Sequence, residues 1–235
     1  GNKTDTATLT LNVSNVTSAP VFDTSTSGTS KSVAENTTPG STIGLTVEAD
    51  PASGDSASIA SFDITASVDN SNADSMGTFA IDPSSGVVTL AKALDYETDT
   101  SHTITVTATT TDGQTATQDY TINITDVAEG PSIPDVVVTK LESITAGTSI
   151  TTFSDANTNG NTDSDGDAIT YSITGGNTDS TFAIDASTGE VTLASNKSLS
   201  YASQSVWSLT ITASSDTGNK TDTATLTLNV SNVTS

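Results

Sequence analysis

Carboxylates gather at four places in this sequence: Glu35, the pair Asp95 and Glu97, the pair Asp126 and Glu129, and the run from 155 to 167. Hard oxygen donors of this kind are what Ca²⁺ binds, six to eight at a time. The run Asp126-Val127-Ala128-Glu129-Gly130-Pro131 falls between two strand-rich stretches, and Pro131 has no amide hydrogen to give a sheet ladder. Two acids three residues apart on such a connection read as a calcium clamp at a domain junction.

The acidic run reads DANTNGNTDSDGD. Asp155, Asn157, Asn159 and Gly160 keep the spacing of a calcium loop, in which alternate side chains point inward and Gly makes the turn. The twelfth place is Gly166 rather than Glu, which argues against a helix-loop-helix site. The expectation is an enlarged loop with an extra ion on Asp163, Asp165 and Asp167. The alternative is a plain polar loop.

The elements that must hold these acids are strands. Residues 103–108 (TITVTA) and 208–213 (SLTITA) alternate with period two and are rich in β-branched side chains, as half-buried antiparallel strands are. Turns of the Asp-x3-Gly and Asp-Gly kind punctuate them at 82–86, 112–113 and 185–189. No stretch keeps a helical period with caps. Short strands at this density predict an all-β fold of two tandem Greek-key β-sandwiches, about seven strands each.

Two blocks carry the same landmarks. Glu35-x4-Gly40-x2-Ile43 corresponds to Glu142-x4-Gly147-x2-Ile150, and Phe79-Ala-Ile-Asp82-x3-Gly86 to Phe182-Ala-Ile-Asp185-x3-Gly189. Residues 1–18 recur letter for letter as 218–235, an offset of 217 residues (218 − 1). The expected organisation is a last strand of a preceding repeat at 1–18, one domain at 19–128 and a second at 129–235, cut from a longer array.

Composition excludes several function classes. Twenty-eight acidic residues against six basic ones, all Lys, leave a net charge of −22, so nucleic acid is not an expected partner. No apolar run approaches the roughly 20 residues of a membrane span, so no membrane insertion is expected. Without Cys, neither disulfides nor thiolate metal sites are available. His102 is the single His and begins a strand, where a ring packs rather than catalyses. Thr-rich strands suggest outward β-formers before any flat hydroxyl array.

Taken in order, Ala34-Glu35-Asn36, Phe79-x-Ile81-Asp82-x3-Gly86, Leu94-Asp95-Tyr96-Glu97, Thr105-Val-Thr-Ala108-x3-Asp112-Gly113 and Asp126-Val-Ala-Glu129-Gly-Pro131 resemble the cadherin repeat. The resemblance covers both blocks. It implies Ca²⁺ between successive domains, with Glu35, Asp95, Glu97, Asp126 and Glu129 from the first side. Asp155, Asn157 and Asp216 would answer from the second, Asp155 and Asn157 matching the family's Asp-Ala-Asp. Ala128 stands where the family has Asn.

The resulting expectation is a non-enzymatic, extracellular, calcium-stiffened stalk from a giant surface adhesin, bacterial in type, of the repeats-in-toxin or biofilm-associated class. Its partners would be neighbouring repeats of the same chain, and the piece itself a monomer. The alternatives are a carbohydrate-binding module and homophilic self-association between identical chains.

Overall fold

The computed structural model describes residues 1–12, 17–71, 73–215 and 219–233. The chain forms two compact units, Gly1–Val127 and Ala128–Ser235. Each is an all-β sandwich.

In the first unit, β1 (Val21–Asp23) is followed by β2 (Ser30–Ala34), β3 (Thr42–Thr46), β4 (Glu48–Asp50) and β5 (Ile59–Asp69). Then come β6 (Phe79–Ile81), β7 (Val87–Leu90), β8 (Ser101–Thr110) and β9 (Thr115–Thr125). One sheet has the order β2-β9-β8-β5, the other β3-β7-β6, and β1 and β4 pair separately. β8 buries every second residue along its length, the pattern of a central strand with one face on the core. Leu45, Val88, Leu90, Ile104, Val106 and Ile122 meet between the two sheets, each 1% exposed or less.

The second unit repeats this plan with β10 (Val136–Leu141), β11 (Ser149–Thr152), β12 (Ile169–Gly175), β13 (Phe182–Ile184), β14 (Glu190–Leu193), β15 (Val206–Ser215) and β16 (Thr221–Ser231). A short 3-10 turn at Thr178–Ser180 precedes β13. The sheets are β10-β16-β15-β12 and β11-β14-β13. Ala224, Leu226, Leu228 and Val230 of β16 all point into the core.

Most pairings are antiparallel, but β2 runs parallel to β9 and β10 parallel to β16. A parallel pair brings two C-terminal ends to the same place. In the first unit that feature sets Glu35 and Asp126 beside each other.

Two glycines show how tightly the sheets close. Gly86 and Gly189 have φ of 69° and 70°. A Cβ there would lie 2.1 Å from the Val47 carbonyl oxygen and 2.4 Å from that of Phe153. The Asp-x3-Gly spacing thus reflects both a left-handed turn and a close approach of backbone.

Candidate calcium sites

Ala34 and Thr125 are partners at the end of the parallel β2–β9 pair, and the Glu35 amide donates to the Thr125 carbonyl at 3.2 Å. Glu35 and Asp126 therefore emerge side by side. The Glu35 carboxylate is buried and accepts two backbone amides, Tyr96 at Oε2 and Val127 at Oε1, both at 2.7 Å. One side chain so joins the end of β2, the 94–97 turn and the exit of β9. Fixing the Tyr96 amide also fixes Glu97, the next residue. As a result Glu35, Glu97 and Asp126 each bring a carboxylate oxygen to within 4.8 Å of the others.

Asp95 lies outside this group. Its carboxylate caps its own turn, accepting the Thr98 amide at 3.2 Å and the Thr98 hydroxyl at 2.8 Å.

The second unit builds the same brace without the same acids. Leu141 and Ser231 end the parallel β10–β16 pair, and Glu142 accepts the Tyr201 amide at 2.9 Å and the Val233 amide at 3.3 Å. Ala202 and Asn232 stand where Glu97 and Asp126 stand in the first unit. Among the described residues no comparable trio of acids gathers round Glu142.

The loop at 155–167 is two consecutive turns. In the first, Asp155 is fully buried, and its Oδ1 accepts the amides of Asn157 and Thr158 at 2.8 and 2.9 Å. Its Oδ2 accepts the Ser132 amide at 2.7 Å. Asn159 has φ of 56°, a left-handed turn position that Asn tolerates. The Asp-x-Asn-x-Asn-Gly spacing is thereby explained by backbone turn chemistry, and Asp155 joins no cluster of acids among the described residues.

The second turn differs. Asp163 is 1% exposed, its Oδ1 accepts the Asp167 amide at 2.9 Å, and its Oδ2 is buried without a partner. Asp165 Oδ2 accepts the Glu129 amide at 2.6 Å, while its Oδ1 is buried without a partner, as is Oδ2 of Asp167. The three carboxylates bring oxygens within 4.8 Å of one another. Two unit charges at that distance repel by about 3.5 kcal/mol at an effective dielectric near 20. Clustered carboxylates that also keep buried oxygens without a donor are the donor set that a hard divalent cation fits. Asp163-Ser164-Asp165 also carries the Asp-x-Asp spacing that the sequence offered eight residues earlier as Asp155-Ala156-Asn157.

Six residues singled out from sequence are thus gathered in trios within the units, and Asp95, Asp155 and Asn157 are turn residues outside them. Glu129 contributes its amide to the second trio. Asp216 lies outside the described residues. What sequence reasoning did not distinguish was an acid that holds backbone from an acid left with open oxygens. The signal present was Glu142, which keeps its place although its acidic companions are gone.

Two further acids are ordinary turn formers. The Ser84 hydroxyl, followed by the Ser85 amide, holds the Asp82 carboxyl down at about 2, and Ser187 with Thr188 does the same for Asp185. The His102 ring is buried edge-on to Phe79, with Nδ1 3.2 Å from the Ser75 hydroxyl, and burial lowers its pKa. Trp207 packs against Phe182 in the same way.

Residues 29–125 and 138–231 each match the cadherin domain. The chain belongs to the cadherin family. It is 36% identical over 142 residues to human protocadherin Fat 4 and 32% over 140 residues to the mouse protein, in each case 57% of this chain. The chain spans about 3% of the length of these curated relatives. Among solved cadherins, Drosophila N-cadherin EC1-4 is 26% identical with a TM-score of 0.56, over 92% of this chain and 50% of that one. Human protocadherin-24 EC1-2 has the same TM-score at 20% identity, over 92% of this chain and 99% of that one, a likeness of fold. Cadherin domains are extracellular adhesion modules, typically without enzymatic activity and binding calcium between repeats. No helix among the described residues is long and apolar enough to cross a membrane.

Proposed function

We propose that this chain is a calcium-binding extender from a large cell-surface adhesin, in which Ca²⁺ stiffens successive cadherin domains so that they project a distant ligand-binding region. The observation that carries the calcium reading is the second-unit trio: Asp163, Asp165 and Asp167 each have a buried oxygen with no hydrogen-bond partner, and each brings a carboxylate oxygen to within 4.8 Å of the other two. Glu35, Glu97 and Asp126 supply a second set of donors, held in place by the Glu35 brace. In the first unit Asp95 is two residues from Glu97 in the chain, and in the second the Glu129 amide meets Asp165, so each lies next to its own set.

Bound calcium would neutralise carboxylates that otherwise repel one another, which is how it would stiffen the segments that carry them. The extender role rests on the identical 18-residue segments 217 residues apart, since a spacer gains from the number of its units. That repetition, with the absence of Cys, favours a giant adhesin of bacterial type, although the curated relatives it matches are animal protocadherins. Small-angle scattering with 10⁻²-molar-scale Ca²⁺ and with chelator tests the reading. A longer, narrower distance distribution in calcium is expected, and an unchanged one counts against it.

A further inference from the structure

His102 is the single imidazole of the chain, and it is 4% exposed at the start of β8. Trp207 holds the same place at the start of β15, and each ring lies edge-on to a Phe, with centroids 5.4 Å apart for Phe79 and 5.2 Å for Phe182. An apolar ring therefore satisfies the packing, and what His adds is a titratable polar link. Its Nδ1 lies 3.2 Å from the Ser75 hydroxyl, which in turn lies 2.8 Å from the hydroxyl of buried Ser67 in β5. Trp207 Nε1, by contrast, is buried with no hydrogen-bond partner. Beside the imidazole is a cavity of about 320 Å³. The charged groups that face it are Asp69 at the end of β5, Asp74 on the segment that follows, and Lys92, Asp95 and Asp99 between β7 and β8. We propose that His102 is an acid-sensitive latch: as a neutral ring it holds residues 73–78 against β5 and β8 through Ser75, and as a cation it turns toward the acidic cavity and lets them go.

Ser75 anchors that segment. Its amide donates to the Ser67 carbonyl at 2.8 Å, and its own carbonyl accepts the Thr78 amide at 3.1 Å. A neutral imidazole has one donor and one acceptor nitrogen, whereas an imidazolium has two donors, so protonation forces the Ser67–Ser75–His102 chain to rearrange. It also sets a charge against Phe79, away from water. Burial accordingly holds the imidazole pKa below the ordinary 6.5, against the opposing pull of Asp99 and Asp69. The same two acids give the charged ring a reason to leave its seat for the cavity. The latched state thus binds fewer protons than the open one, so latching is fully stable above about pH 6.5 and weakens as pH falls below it.

The test is hydrogen exchange on the full chain, read at residues 73–78 at about pH 8 and about pH 5, the range in which an imidazole titrates, and corrected for the intrinsic pH dependence of exchange. Protection of 73–78 is expected at the upper pH and its loss at the lower, while β15 and β16 stay protected at both. H102W, which carries the ring that the second unit uses, should keep 73–78 protected at both. Because the chain has one His, its ring resonances report the titration without any variant, and this reading stands even where H102W fails to fold. A midpoint below 6.5 that moves together with exchange of the Ser75 amide is expected. Equal protection of 73–78 at the two pH values, or a midpoint at or above 6.5, would overturn the proposal. A folded H102W chain that opens in acid as far as the natural one would overturn it as well.

Discussion

Glu35 and Glu142 accept equivalent pairs of backbone amides in their two units, Tyr96 and Val127 in the first, Tyr201 and Val233 in the second. The first Glu stands beside Glu97 and Asp126, the second beside Ala202 and Asn232. A Glu at this place is therefore a brace for three chain segments before it is a metal ligand. On the proposed reading, calcium binding is set by its acidic neighbours.

Removing the brace should weaken both units, but only one removal should alter calcium sensitivity. Glu35→Ala leaves two amides without acceptors and is expected to destabilise its unit by about 2–4 kcal/mol, Glu142→Ala by about 1–2 because it is more exposed. In thermal melts, the Glu142 variant should keep the full calcium-induced rise and the Glu35 variant should lose part of it. Equal effects of the two on calcium sensitivity would contradict the distinction.

The same comparison predicts mechanical alternation. The far end of the second unit has Ser200, Ala202 and Asn232 where the first unit has Asp95, Glu97 and Asp126. Neutral oxygens hold Ca²⁺ weakly, so that end should stay free of calcium at millimolar-scale concentration. In an array of this unit, calcium-stiffened and calcium-independent connections would alternate once per 217 residues. Scattering on three-domain proteins spanning both connections should show one straightening with calcium while the other stays flexible.

Low pH should act partly through Asp82 and Asp185. Both carboxyls are held at about 2 in the folded chain, below the ordinary 3.8, first by the neighbouring Ser hydroxyls. The folded state therefore binds fewer protons than the unfolded one in this range. The stabilisation is present above about pH 4 and is lost as pH falls through about 2. Urea midpoints measured from pH 5 to pH 2 should fall less steeply for the Asp82→Asn/Asp185→Asn variant, and its calcium response should be unchanged.

Much of this was legible in the sequence, for identifiable reasons. Strict alternation in β8 and β16 marks the core face of each sheet, and the paired Asp-x3-Gly motifs mark turns that the Asp carboxylates and the close approaches of Gly86 and Gly189 now explain. The grouping of acids was less legible, because spacing alone does not tell which oxygens meet backbone amides. Asp155 looks like the first ligand of a calcium loop, yet three amides occupy its oxygens. Asp163 and Asp165 come later in the same loop and keep oxygens free. Only the fold of the two turns separates these cases.

Those glycines give a stability prediction independent of calcium. Gly86→Ala forces a left-handed φ on a side chain and drives Cβ into the Val47 carbonyl, whereas Gly113 has a similar φ of 88° in open space. Gly113→Ala should cost about 1–2 kcal/mol. Gly86→Ala should cost clearly more, about 3 kcal/mol or above, in urea melts.

If the Glu35 and Asp163 trios hold calcium, isothermal titration of the chain with CaCl₂ will detect it. Saturable binding with Kd of roughly 10⁻⁴ to 10⁻³ M is expected. Asp163→Asn with Asp165→Asn should abolish at least one site, and Asp82→Asn should abolish none. At ~100 times Kd each site would stabilise its unit by about 2.7 kcal/mol. No saturable binding up to 10⁻²-molar-scale calcium, or a binding curve unaffected by the double Asn variant, would contradict it.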